Sequence, residues 1–288
     1  HTMTMEPKGT TNAHARRSRL SRSFVVASLL AIAACGLGAP NGAGGADAET
    51  AAVADWRPLF NGRDLTGWTP KIRGHPLGED PYGTFRVADG AIQVRYDAYE
   101  RFDERFGHLF FETPFSDYDL RVEYRFVGEQ VPDGPGWAVR NSGVMFHAQD
   151  PATMGVDQDF PISLEAQFLG GDGTEDRPTA NLCTPGTHVD IAGVRSEAHC
   201  HTAAAPTIHG DEWVTVELSV RADSVIAHRV DGDTVLVYGG AVVGGGVVAG
   251  FLPEAKVDGA PLREGWIALQ SESHPVDFRG VWIRPRMR

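Results

Sequence analysis

The chain has 288 residues, 42% hydrophobic and 22% charged, an ordinary globular composition that excludes a disordered chain and a multi-span membrane protein. Its 34 glycines and 18 prolines favour many turns over long helices. A formal net charge of −12 repels phosphate backbones, so nucleic acid is not an expected partner.

The first segment reads as an export address. A basic cluster, Arg16, Arg17, Arg19 and Arg22, precedes an uncharged and mostly apolar run from Phe24 to Ala34. As a helix that run is about 16 Å long, short of the ~20 residues needed to span a bilayer, and a short apolar run behind a basic region is the pattern of a signal peptide. It ends Leu30-Ala31-Ile32-Ala33-Ala34-Cys35, which resembles the bacterial lipobox, where the cysteine is lipidated and becomes the mature N-terminus. Residues 1–35 are therefore expected to be a signal peptide with lipobox, and the protein an exported lipoprotein, periplasmic or at the cell surface. Cleavage after Ala46-Asp47-Ala48, an A-x-A pattern, is the alternative, and it gives a plainly secreted protein. Residues 36–54 are rich in Gly and Ala and form a flexible tether. Loss of residues 1–34 removes five basic residues and one acidic residue, taking the net charge from −12 to −16.

From Asp55 onward the dominant period is two. Asp89-Gly90 separates Phe85–Ala88 from Ala91–Arg95, and Asp231-Gly232 separates Val225–Val230 from Asp233–Tyr238. Asp-Gly between alternating segments is a strong hairpin signal. Residues 118–126 alternate strictly between apolar and polar, as do 213–220, so each is predicted to be a strand with one face in the core. Further strands are predicted near 108–112, 142–148, 161–169, 265–270 and 276–284. Many short strands with Gly/Pro turns imply a sandwich or barrel. No linker interrupts residues 55–288, which are read as one domain.

Two cysteines lie in this domain, Cys183 and Cys200. Oxidising surroundings favour a disulfide between them. A metal site with the nearby His188, His199 and His201 is the rival, although the spacing lacks the close cysteine pairs of a zinc site. The acidic stretches Asp157-Gln158-Asp159 and Asp172-Gly173-Thr174-Glu175-Asp176 offer oxygen ligands for calcium or a similar divalent cation, without EF-hand spacing. No other cofactor is indicated.

The opening run Trp56-Arg57-Pro58-Leu59-Phe60-Asn61-Gly62-Arg63-Asp64-Leu65-Thr66-Gly67-Trp68 resembles that of the 3-keto-disaccharide hydrolase domain family. So do Arg140-Asn141-Ser142-Gly143-Val144, Leu164-Glu165-Ala166-Gln167-Phe168, and Gly265-Trp266-Ile267-Ala268-Leu269-Gln270 leading to Val276-Asp277-Phe278-Arg279-Gly280-Val281-Trp282-Ile283. The resemblance implies an all-β, concanavalin A-like jelly roll of two antiparallel sheets, one concave enough to hold a sugar. It also implies action on oxidised glycosides, and hence an upstream sugar 3-oxidoreductase.

On a strand, Ser163, Glu165, Gln167 and Leu169 share one face, while the apolar Ile162, Leu164, Ala166 and Phe168 share the other. Glu165 and Gln167 are thus expected on the concave face. Likewise Asn141, Gly143, Met145 and His147 share a face, which makes Glu165 with His147 the candidate catalytic pair. Arg140, Asn141, Gln167, Gln270, Glu272 and Trp137 are candidate substrate-binding residues, with Arg140 able to stabilise an oxyanion and Trp137 able to stack on a sugar ring. Gln167 and Leu169 stand where a Glu-x-Asp-x-Glu pattern would place further acids, which disfavours a retaining glucanase mechanism. The leading expectation is proton abstraction from C2 of a 3-keto glycoside followed by departure of the C1 substituent. A non-catalytic glycan-binding domain and a conventional glycoside hydrolase are the alternatives.

Overall fold

A computed structural model describes residues 55–286. The expected signal peptide, Cys35 and the tether lie outside these residues. The strands in chain order are β1 (Arg57–Pro58), β2 (Trp68–Ile72), β3 (Phe85–Ala88), β4 (Ala91–Val94), β5 (Gly107–Phe111), β6 (Asp117–Phe126), β7 (Asn141–Ala148), β8 (Leu164–Leu169), β9 (Asn181–Cys183), β10 (Thr187–Ile191), β11 (Val194–Ser196), β12 (Cys200–His201), β13 (Val214–Arg221), β14 (Val225–Val230), β15 (Asp233–Val243), β16 (Trp266–Ser271) and β17 (Val276–Pro285). Among the described residues the only helical turns are three short 3₁₀ segments.

The strands form two antiparallel sheets, as a jelly roll requires. The larger runs β11-β10-β15-β14-β13-β6-β17-β4-β3, with β1 added along β17. The smaller runs β12-β9-β8-β7-β16-β5-β2. Both Asp-Gly hairpins form where expected: Ala88 pairs with Ala91 and Val230 with Asp233. The two central residues of each turn have positive φ (52° and 73°, 50° and 92°), the primed geometry that matches strand twist.

Alternation decides what is buried between the sheets. Tyr118, Leu120, Val122, Tyr124 and Phe126 of β6, with Val214 to Val220 of β13, face Val144, Phe146, Leu164, Ala166, Phe168 and Leu269 of the smaller sheet in one core. Tyr124 stacks on Phe168 at 4.2 Å across the interface. The odd-numbered residues of β6, from Asp117 to Arg125, point outward. Asp119 on that face is 3% exposed and accepts hydrogen bonds from Ser219 (3.0 Å), Arg221 (3.1 Å), Arg284 (2.7 Å) and Arg286. Burial alone would raise its pKa, but these donors hold it at about 2. Its ionised form therefore stabilises the fold above the ordinary carboxylate pKa, and that contribution is lost as pH falls toward 2. Asp119→Asn is expected to cost about 2–3 kcal/mol at neutral pH, read as a lower denaturation midpoint, because three guanidinium groups lose their shared partner.

The smaller sheet presents its other face outward. Over β2, β5 and β16 this face is covered by an apolar cluster of Phe110, Met145, Ala148, Met154 and Ala268. Lys71 pins the covering segment, donating to the Val156 carbonyl at 2.9 Å and to its own strand at Ile72. Over the start of β7, before Met145, and over β8 and β9 the face stays open.

Candidate active-site groove

The open half of the smaller sheet floors a cavity of about 710 Å³. Glu165, Gln167 and Leu169 of β8 and Asn181 and Cys183 of β9 line it, with Asn141 of β7 and Glu272 just beyond β16. Trp137, Phe160, Arg177 and His199 contribute to its walls. The period-two reading of 163–169 thus matches the structure: Glu165 and Gln167 face the groove, and Leu164, Ala166 and Phe168 face the core.

Glu165 lies across β7 because position 143 is a glycine. A Cβ at Gly143 would sit 2.7 Å from Glu165 Oε1 and 3.0 Å from the Ala166 carbonyl oxygen. Gly143→Ala is therefore expected to displace the carboxyl with little loss of stability. If the carboxyl acts in catalysis, a shift near 1 Å would lower turnover on the order of 100-fold, measured as kcat.

Glu165 and Glu272 are both buried, and each retains a carboxyl oxygen without a hydrogen-bond partner. Burial raises the Glu165 pKa, opposed only by Gln270 nearby. Burial also raises the Glu272 pKa, and the negative charge of Glu165 raises it further. Two carboxyls in one apolar recess hold a proton at neutral pH rather than ionise together. Gln270 lies beneath them, fully buried, and neither its amide nitrogen nor its oxygen completes an aligned hydrogen bond. Asn141 Oδ1 and His108 Nε2 are likewise buried without partners. His108 pairs across the strands with Gln270, and burial with the Lys71 charge beside it lowers its pKa to about 3, so the imidazole is neutral. Buried polar atoms are normally satisfied by protein or water, and six of those without a protein partner gather here: Glu165 Oε1, Glu272 Oε2, Asn141 Oδ1, His108 Nε2 and both amide atoms of Gln270.

Two expected site residues point elsewhere. His147 has φ +46° and forms a bulge, in which β7 advances three residues from Met145 to Ala148 while β16 advances two. The extra residue rotates His147 off the groove face. Its Nε2 meets the Ala222 carbonyl at 3.1 Å and its ring packs edge-on against Tyr118, so it is not beside Glu165. Burial lowers its pKa, leaving it a neutral structural histidine. Arg140, with φ +46°, turns its guanidinium over the Phe126 ring and toward the Gly210 carbonyl, at the end of the core rather than in the groove. His274 lies there too, against Phe126.

The remaining expected residues converge. Trp137 is 55% exposed at the groove wall, stacked on Phe106, which packs on Phe160. Its carbonyl accepts from Asn141 and Arg177. Gln167 accepts from Asn181 at 3.2 Å. Arg177, which sequence reasoning passed over, is the cation at the groove, held by the Gly170 carbonyl at 2.8 Å. Its only signal was its place directly after the acidic stretch 172–176, where Asp172 caps Thr174 and pairs with Arg177 at 3.8 Å. In the other acidic stretch Asp159 accepts from the Phe160 and Ala249 amides.

Cys183 and Cys200 form the disulfide, joining β9 to β12 beside Glu165. With His199 they are the one group of metal-ligand spacing among the described residues, but the bridged sulfurs offer no thiolate.

Solved structures of similar architecture include a Bacillus subtilis protein of galectin-like fold (14% identity, TM-score 0.49, 81% of this chain and 96% of that one). A candidate glycosyl hydrolase of Parabacteroides distasonis shares 14% identity (TM-score 0.47, 81% and 100%). A β-glucanase of Bacillus licheniformis shares 10% (TM-score 0.44, 81% and 98%). These likenesses assign no role to any residue here. No curated protein matches the sequence. The model described as the 3-keto-alpha-glucoside-1,2-lyase-like domain matches residues 55–284, and the chain belongs to that family.

Proposed function

We propose that the groove cleaves 3-keto glycosides by removing the C2 proton and releasing the C1 substituent. The observation that carries this reading is the buried Glu165–Glu272 pair with its raised pKa values. The ketone at C3 acidifies the C2–H. An ionised carboxylate takes that proton, and the electron pair forms an enolate onto the C3 oxygen. When the enolate collapses, a C1=C2 bond forms and the C1–O bond breaks. The other carboxyl, still protonated, donates its proton to the leaving alcohol. Addition of water at C1 then gives net hydrolysis.

Once one of the two carboxyls ionises, which the raised Glu165 pKa of about 8 sets at mildly alkaline pH, the pair supplies both the base and the acid this sequence needs. Arg177 and the unpartnered Gln270 amide are the donors available for the developing oxyanion, in place of Arg140. Trp137 offers an aromatic face for a sugar ring. The substrate must be supplied by a separate oxidation at C3.

The basic cluster, the apolar run and Cys35 support a location outside the cytoplasm on a lipid anchor, which mass spectrometry of the mature protein would test by the presence of the acyl group. A disulfide suits that setting, and no helix among the described residues is long and apolar enough to cross a membrane.

Incubation with 3-keto-trehalose or a 3-keto glucoside is expected to release sugar, and the unoxidised parents are expected to be inert. Turnover of the parents would indicate a conventional hydrolase. Binding without turnover of any of them would indicate a lectin.

A further inference from the structure

The outer face of the larger sheet differs from the rest of an acidic protein. Its carboxylates lie deep: Asp119 and Asp277 are 2–4% exposed, and Glu123 and Glu217 22–23%. The guanidiniums that pair with them lie above. Arg121, Arg125 and Arg279 are 37–46% exposed; Arg86 at the margin is 45% exposed and differs in that its partner Asp97, at 67%, is also in solvent. What meets solvent on this face is therefore cationic.

Half-buried tryptophans sit among the arginines. Trp56 stacks with Arg121 (4.5 Å) and Arg284 (4.8 Å), and Trp213 with Arg125 (4.6 Å) and Arg279 (4.4 Å). Trp282 lies flat over Gly280, where a Cβ would collide with its ring. Tryptophan and arginine together suit the headgroup layer of a bilayer, where the indole meets the apolar boundary and the guanidinium meets phosphate.

We propose that this face docks against an anionic lipid surface. The place where the preceding chain joins the fold selects a lipid surface over other polyanions. Trp56, the second described residue, is itself stacked on this face, so the described chain begins here. If residues 36–54 act as the Gly/Ala tether their composition implies, nineteen such residues reach roughly 25 Å, enough for the face to meet a membrane that would hold an acyl group at Cys35. The groove is on the opposite side of the sandwich and would face away from the lipid, open to soluble glycosides.

The orientation rests on the proposed lipid anchor, whereas the affinity of the face does not, and the experiment separates them. The processed chain from residue 35 carrying Cys35→Ser has no acyl group. It is expected to cosediment with phosphatidylglycerol vesicles at low ionic strength, to be released by salt, and not to bind phosphatidylcholine vesicles. An arginine at such a surface contributes about fivefold in partitioning, so Arg86→Glu with Arg279→Glu should lower binding by at least ~20-fold. An unchanged thermal midpoint would show that the double variant is folded, and Arg86→Gln with Arg279→Gln is the milder substitute if it is not. Equal binding to both vesicle types, a charge-altered folded variant that binds like the parent, or capture by an anionic polysaccharide without vesicle binding would each overturn the proposal. An unmodified Cys35 in the native protein would remove the anchor and leave this result standing.

Discussion

Glu165→Gln is expected to lower kcat by 10²–10⁴-fold, the usual contribution of a general base or acid, on any 3-keto glycoside the wild type turns over. Glutamine keeps the shape of the side chain above Gly143 and cannot exchange a proton. The same substitution removes a carboxyl that is buried with an unpartnered oxygen, so the thermal midpoint should hold or rise. Lost activity together with retained stability separates a chemical role from a structural one. Equal turnover in the variant would assign the proton transfer to another group, Glu272 first. Glu272→Gln should show a similar loss, and the double variant little more than either single one, because the two carboxyls act as one proton-sharing unit.

The same pair should govern how stability varies with pH. A carboxyl whose folded pKa is raised holds a proton that the unfolded chain gives up above about 4.3. Over that range the native state binds more protons than the unfolded state, so stability falls as pH rises, by about 1.4 kcal/mol per pH unit for each extra proton held. The decline ends once the pH passes the raised values. Buried neutral histidines such as His108, His147 and His228 give the opposite slope below about pH 6.5, so the pair is read as a difference: the wild-type midpoint relative to that of Glu165→Gln with Glu272→Gln should fall between about pH 5 and pH 8. This is opposite in sign to the Asp119 effect, which weakens the fold only at strongly acid pH, so a pH series on the three variants assigns each limb to its residue. A wild-type midpoint that keeps a constant offset from the double variant from pH 5 to 8 would mean that the pair is ionised in the folded protein.

Much of this arrangement is written in local sequence. The Asp-Gly hairpins need only two residues in the left-handed region, and Asp and Gly tolerate it. The alternation at 117–126 and 164–169 assigns each side chain to a face, which brought Glu165 and Gln167 to the groove. What local sequence did not carry has separate physical sources, the first being register between strands that are distant in sequence. His147 would have stayed on the groove face if β7 had run without a bulge, and the bulge is visible only against β16, where Gly265 makes room for it: a Cβ there would meet the His147 backbone at 2.4 Å. Arg140 leaves the groove through a positive φ that no composition signals. The short strands β9 to β12 bury few residues each and lie among Gly, Pro and Thr, so they carry no periodic pattern, and Arg177 and Asn181 were hidden with them. Glu272 reached the groove because the chain beyond β16 continues its alternation, so the carboxyl pair joins residues more than a hundred positions apart.

The claim that this pair removes a proton from C2 is tested most directly by following that proton. In D₂O, a 3-keto glucoside incubated with the protein and monitored by NMR should lose its C2–H as the C1 substituent is released. A C2-deuterated substrate should turn over more slowly by a primary isotope effect, and Glu165→Gln should show neither signal. Release of the C1 substituent with the C2–H intact, at equal rates for the protonated and deuterated substrates and for the unoxidised parent, would contradict it.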